Sequence, residues 1–328
     1  MKALVYTGPE TLDYREAPEP RPGGDALIRV AHVGICGSDM HAWAGHDERR
    51  PAPLILGHEV AGTVVEGPGA GSRVTVNPLV TCGACEDCRS GRDNLCGSRQ
   101  IISMPPREGA FAEMLAMPPG NLIPIPDGVP TEKAALTEPL ACGWHAVRLA
   151  QRALDRPIGE ARCLVIGGGA VGLGAALVLG ALGAPEIHIA ETNPARRAIV
   201  SRTGDFRVYD PMAEEGPDPV DLVIDAAGFE ATRAAASAAV RPGGAILHIG
   251  LGSGAGGLDI RRMTLQEITF IGTYTYNAAD FRDTAAAMFA GRLGPLDWPE
   301  IRPLAEGARA FADIRAGRAA APKIILMP

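Results

Sequence analysis

Residues 161–191 read ARCLVIGGGAVGLGAALVLGALGAPEIHIAE, and this stretch decides the fold. An apolar run, a turn of glycines, a small-residue helix and a second apolar run spell strand, turn, helix and strand. Gly167, Gly169 and Gly172 form G-x-G-x-x-G at the strand-to-helix turn. There the first glycine permits the tight turn, the second lets a pyrophosphate come close, and the third lets helix and strand pack tightly. Ala170 and Val171 open the helix, whose free N–H groups and positive dipole end suit phosphate. Glu191 ends the second apolar run, about twenty residues on, where an acid is expected to hold the hydroxyls of an adenosine ribose. A carboxylate there repels a 2′-phosphate, so NAD is expected rather than NADP. Arg196 and Arg197 follow on the next helix. An arginine there is the feature that would accommodate the phosphate; a solvated helix face, or a cover over the adenine from Arg196, is the expected role.

The alternation continues outward. VDLVIDAAG, ATRAAASAAVRPGG, AILHIG and EITFIGTY keep strands and helices in turn, which implies a doubly wound parallel sheet over residues 142–277. Before it, ALIRVAHVGIC (26–36) and EVAGTVVEG (59–67) are short β-branched runs punctuated by Pro18, Pro20, Pro22, Pro51 and Pro53, the texture of an antiparallel, barrel-like β domain over 1–141. From 278 a helical stretch, a Pro-rich link and the final run PKIIL close the chain.

Cys82, Cys85, Cys88 and Cys96 lie at C-x2-C-x2-C-x7-C spacing in a lobe spanning about 80–98. Four thiolates that close in sequence suit a tetrahedral structural zinc; disulfides and an iron–sulfur cluster are the other sulfur chemistries. A second set is dispersed: Cys36, the adjacent His58 and Glu59, and Glu138. Thiolate, imidazole and carboxylate supply the three ligands a catalytic zinc uses while one position stays open. The His-Glu pair is not the metalloprotease helix motif, because Gly62 stands where that motif has its second histidine.

Composition narrows the class. The chain of 328 residues carries a net charge of −7 and no basic tract, which argues against nucleic acid as a partner. Its longest apolar stretch, Ala175–Leu182, is too short to cross a bilayer, and the opening MKALVYTGPE does not read as a signal peptide. Seven cysteines, four of them clustered, fit a reducing cytoplasm.

In order, GICGSDMHAW, GHEVAGTV, the cysteine lobe, GAFAEM, TEPLACGWHAV, VIGGGAVGL and PKIIL span nearly the whole chain. In these motifs it resembles the zinc-dependent medium-chain dehydrogenase/reductase family, most closely its polyol (sorbitol-type) branch and, within that, enzymes of sugar acids such as L-idonate. The resemblance implies a GroES-like catalytic domain built from both chain ends, with a Rossmann NAD-binding domain between them. It implies two zinc ions per chain, the catalytic one held by Cys36, His58 and Glu59, with Glu138 binding its water or the metal itself. Cys142 is read as a small buried hydrophobe. Zinc then acidifies a secondary hydroxyl of a polyol, sugar or sugar acid, whose carbon gives hydride to a nicotinamide near Gly228, Gly250, Leu251, Thr273 and Tyr274. Ser38 and His41 match the family's proton relay. A small-molecule substrate and a homodimer or homotetramer are implied as partners. Thr275 departs from the pattern, since the polyol branch commonly has arginine there; sorbitol itself is therefore a poor expectation. Trp43, Ile101, Ser103 and Met104 are expected to line the substrate pocket. An L-threonine 3-dehydrogenase and a non-enzymatic zinc and nucleotide sensor are the alternatives.

Overall fold

Two large β-sheets, with their helices and two smaller sheets of three and two strands, make up the computed structural model, which describes residues 1–328. The apolar run Arg162–Ile166 lies inside a six-stranded sheet in the order Arg207–Tyr209, Glu186–Ala190, Arg162–Ile166, Val220–Asp225, Val240–His248, Thr269–Gly272. All its pairs are parallel. Helices cover both faces of such a sheet, so its strands are continuously apolar, and Val220–Asp225 is buried along its whole length. Strand order reverses between Arg162–Ile166 and Val220–Asp225, and the crevice beyond the carboxyl ends of those two strands is where ligands of this architecture bind. Gly167 and Ala226 follow those ends directly.

The second sheet has seven strands. Leu122–Pro124, Arg73–Val76, Glu59–Glu66, Ala26–Gly34, Ile324–Met327 and Glu300–Pro303 lie side by side, and Met114–Met117 also pairs with Ala26–Gly34. It is antiparallel as expected except where Glu300–Pro303 runs parallel to Ile324–Met327. That last strand pairs with Ala26–Gly34 through Ile325 opposite Gly34, so the two ends of the chain share one sheet and residues far apart in sequence meet at its edge. The cysteine lobe stands off this sheet between Leu79–Val80 and Gln100–Ile101, which pair with each other.

Helix Thr137–Ala153 runs continuously across position 141. Helix Ala278–Phe289 packs on it and puts Ala287 and Met288 into the core around the parallel sheet; the chain rejoins the seven-stranded sheet at Glu300–Pro303. These two helices are tied by charge. Asp280 is buried and accepts from His145 Nδ1 at 2.6 Å, Arg148 Nε at 2.5 Å and Arg148 Nη2 at 2.9 Å. Burial by itself would raise the Asp280 carboxyl, but the hydrogen bonds and charges of His145 and Arg148 outweigh it and hold it below the ordinary aspartate range.

A carboxyl lowered in the folded state stabilises above its unfolded pKa, and that contribution is lost as pH falls through the folded pKa. Asp280→Ala should therefore lower unfolding stability by about 2 kcal/mol at neutral pH, less than for a fully buried pair because Arg148 is partly exposed. The gap to wild type should close as urea midpoints are followed from neutral pH to below the usual aspartate range. A gap independent of pH would show that Asp280 acts by packing alone.

Candidate active site and metal centres

In the lobe, the expected sulfurs converge. Cys82, Cys85, Cys88 and Cys96 offer ligand atoms all within 4.8 Å of one another, and all four are free thiols. Cys82 Sγ is 3.8 Å from Cys88 Sγ and 3.6 Å from Cys96 Sγ. Four sulfurs each ~2.3 Å from a central ion stand about 3.8 Å apart, so the set fits zinc. Hydrogen bonds from the backbone N–H groups of Ala84 and Cys85 lower the Cys82 thiol to about 6, while desolvation and its sulfur neighbours push Cys88 up to about 12, so the crowded set favours one thiolate at Cys82.

The second group is built where strands end. Cys36 follows strand Ala26–Gly34 and stands at the start of helix Gly37–Trp43; His58 and Glu59 enter strand Glu59–Glu66 beside it. Gly34 is paired directly with Glu59, and a Cβ on Gly34 would lie 1.9 Å from Glu59 Oε2, so only glycine leaves room for that carboxylate. The ligand atoms of Cys36, His58 and Glu59 also lie within 4.8 Å of one another. Glu59 is fully buried, its Oε2 has no partner, and its Oε1 accepts from the Lys323 ammonium at 2.6 Å. Three unlike donors aimed at one point, one of them an orphaned buried oxygen, fit a zinc with an open position.

Asp39 organises this group. Its Oδ2 accepts from the Cys36 N–H at 3.0 Å and its Oδ1 from the Gly57 N–H at 3.2 Å, which pins the segments before both ligands. The same Oδ1 is 3.4 Å from His58 Nδ1, near but without good hydrogen-bond alignment. Burial would lower the His58 pKa, yet the charges of Asp39 and Cys36 hold it well above the ordinary value. Lys323 is likewise buried, with Glu59 and Cys36 outweighing its desolvation to keep it raised. Sequence reasoning missed both Asp39 and Lys323. Their signals were a carboxylate inside GICGSDMHAW and a lone charge in the apolar run APKIILMP.

Glu138, in the first turn of helix Thr137–Ala153, lies outside the three-residue group. Its Oε1 accepts from the Tyr276 hydroxyl at 2.8 Å. Burial pushes its carboxyl up to about 6, with the His58 charge opposing and the Glu59 charge adding to the rise. Cys142, expected to be buried, is half-buried and packs against the cluster of Leu79, Ala141, Tyr276 and Phe281. Ser38 is half-buried and His41, one turn on, is exposed.

The glycine turn is shaped for a dinucleotide. A Cβ on Gly172 would sit 1.9 Å from the Gly167 carbonyl, whereas around Gly169 there is open space. Glu191 Oε2 accepts from the Gly168 N–H at 2.9 Å and Oε1 from the Asn193 N–H at 2.7 Å. Arg196 reaches Glu191 Oε2 at 3.5 Å, while Arg197 is turned to the Glu191 and Thr192 carbonyls. Gly228 and Gly250 press on each other, since a Cβ on Gly228 would meet the Gly250 carbonyl at 2.1 Å; their smallness lets two strand ends approach. Leu251 is 73% exposed. Thr273 donates its N–H to the His248 carbonyl and keeps a buried hydroxyl without a partner. Tyr274 lies against Arg99 of the lobe. Trp43 belongs to the core, edge-on to Phe311 at 5.7 Å, and Ser103 is fully buried. Ile101 pairs with Leu79 and packs against the cluster of Leu79, Ala141, Tyr276 and Phe281.

One cleft of about 230 Å³ joins the two halves: Cys36, Gly37 and Met40 line one wall, and Gly169–Gly172, Arg196 and Ala226 the other. A larger groove of about 480 Å³, bordered by Pro18, Pro53 and Pro106, holds neither a metal-ligating group nor the glycine turn, so the smaller cleft is the candidate site.

Residues 22–127 match the alcohol dehydrogenase GroES-like domain, and residues 170–290 match the zinc-binding dehydrogenase family. The chain is 35% identical over 310 residues to L-galactonate-5-dehydrogenase of Escherichia coli, covering 89% of this chain and 88% of that protein. It is 32% identical over 319 residues to L-threonine 3-dehydrogenase of Mesorhizobium japonicum, covering 90% and 89%. Acetophenone reductase of Geotrichum candidum, solved in complex with NAD, superposes with a TM-score of 0.89 at 26% identity over 100% of this chain and 97% of that one.

Elemental analysis of the purified protein should give two zinc per chain, and Cys88→Ser should leave one. Asp39→Ala should weaken the other site about 10- to 100-fold, as loss of a ligand-orienting partner does, with the lobe zinc retained. Equal retention of both ions in Asp39→Ala would remove Asp39 from that role.

Proposed function

The chain belongs to the zinc-binding alcohol dehydrogenase family and is an oxidoreductase; from that premise we propose that it transfers hydride from a secondary hydroxyl of a polyol, sugar or sugar acid to NAD. The observation that carries this reading is the shared cleft, in which Cys36 faces the Gly169–Gly172 turn across the strand-order reversal. Residues 1–141 and 278–328 are assigned the catalytic part and 142–277 the nucleotide-binding part. Cys36, His58 and Glu59 would hold the catalytic zinc, and Cys82, Cys85, Cys88 and Cys96 the structural one. When bound, zinc supplies Lewis acidity to the substrate hydroxyl and NAD accepts the hydride.

The chain's own residues do the rest. Glu138, kept in place by Tyr276, would accept a hydrogen bond from the zinc's water or bind the metal itself. Ser38 and His41 are three residues apart on helix Gly37–Trp43 and so share a face; the half-buried hydroxyl passes the proton outward and the exposed imidazole releases it to solvent. Glu191, fixed by two backbone N–H groups, receives the adenosine ribose, and Arg196 covers the adenine side of the cleft.

No helix is long and apolar enough to cross a membrane, and seven free thiols suit a reducing cytoplasm. A homo-oligomer, dimer or tetramer, is supported by the outer strand Thr269–Gly272, near which Ile260, Leu265 and Phe270 stay exposed.

A screen of NAD reduction over polyols, aldonates, threonine and simple alcohols tests the reading. Turnover is expected with polyols or aldonates, and turnover confined to threonine would favour the amino-acid enzyme instead. Glu59→Ala should abolish activity together with the catalytic zinc. His41→Ala should slow turnover mainly at low pH, with added base restoring part of the rate; an unchanged pH–rate profile would take His41 out of the proton path.

A further inference from the structure

Three segments meet around Tyr274. The Arg99 guanidinium lies 4.9 Å from its ring centroid, and Arg99 Nε points at its hydroxyl oxygen from 3.4 Å. The Tyr274 carbonyl accepts from Asn94 Nδ2 at 2.8 Å. Arg99 is held a second time, through Nη1, by the Cys96 carbonyl at 3.0 Å. The chain links this stack to Glu138: Tyr276, two residues beyond Tyr274, bonds Glu138, and Ile101, two residues beyond Arg99, packs against the cluster of Leu79, Ala141, Tyr276 and Phe281.

Charge at this rim is unbalanced. Arg99 makes no ion pair with any carboxylate, and its Nη2 makes no hydrogen bond. Arg49, whose charge also senses Tyr274, is already clamped by both oxygens of Asp47, at 2.8 and 2.9 Å. A guanidinium stacked on a ring and pinned at two nitrogens loses little further freedom on binding, and its free edge suits a carboxylate. The Tyr274 hydroxyl, used only as an acceptor, keeps its proton to donate to the same anion. One cation with one hydroxyl matches a singly charged carboxylate better than a phosphate.

We propose that Arg99 and the Tyr274 hydroxyl form an anion subsite that takes the carboxylate of a sugar-acid substrate and selects an aldonate over the neutral polyol of the same hydroxyl pattern. The proposal deepens the dehydrogenase reading and rests on it for the identity of the reacting hydroxyl, so its test measures binding as well as turnover.

The full chain, loaded with zinc and NAD, would be titrated by calorimetry with six-carbon aldonates, the matching hexitols and a hexitol phosphate, as wild type, Arg99→Gln and Arg99→Lys. Arg99→Gln should weaken the aldonate at least tenfold more than the hexitol. Arg99→Lys should fall between, keeping the charge but losing the planar stack. In turnover the same split should enter through KM for the aldonate. Equal losses for acid and polyol, no loss for either, no aldonate binding by wild type, or tighter binding of the phosphate would each overturn the subsite. The expected binding split with no NADH formed from any hydroxyl would sink the dehydrogenase reading and leave the subsite standing. NADH from polyols without aldonate binding would do the reverse.

Discussion

Everything in the active cleft depends on a buried excess of negative donors around one point. Cys36, Glu59 and Asp39 crowd His58, and Glu138 stands close enough to sense both Glu59 and His58. Carboxylates out of water are costly unless a cation answers them. Lys323 answers one oxygen of Glu59, and the other oxygen has no protein partner. A divalent ion is the chemistry that satisfies the remaining donors, and the raised His58 and Lys323 register the same field.

Topology makes that convergence possible. Cys36 and Glu59 come from neighbouring antiparallel strands, while Lys323 directly precedes the terminal strand that pairs on the other side of Ala26–Gly34. The pairing of Ile325 with Gly34 brings the last residues of the chain close to Cys36. The helix beginning at Thr137 delivers Glu138 to the same place and then runs on to pack against the helix of the glycine turn. Cys36 and the glycine turn therefore line one cleft, and a single helix packs against both sheets.

Much of this was legible in the chain. The G-x-G-x-x-G turn after an apolar run gave the parallel sheet and its crevice, and Gly172 does pack against Gly167 as the pattern requires. The cysteine spacing gave a group whose sulfur distances suit zinc. Contacts between distant segments were not legible. Lys323 and Glu59 are 264 residues apart, so a lysine in a terminal apolar run had no visible partner. Trp43, expected to line the substrate pocket, is buried edge-on to Phe311, a partner 268 residues on that the sequence does not reveal. Gly228 and Gly250, expected near the nicotinamide, also make room for each other, a close approach of two strand ends that the sequence does not reveal.

A crystal structure of the protein with zinc and NAD, with anomalous scattering collected at the zinc edge, tests the central claim most directly. The account predicts one peak about 2.0–2.3 Å from Cys36 Sγ, a His58 ring nitrogen and a Glu59 oxygen, on the nicotinamide side of the cleft. Zinc in the cysteine lobe alone, or those three side chains turned apart with the dinucleotide in place, would contradict it.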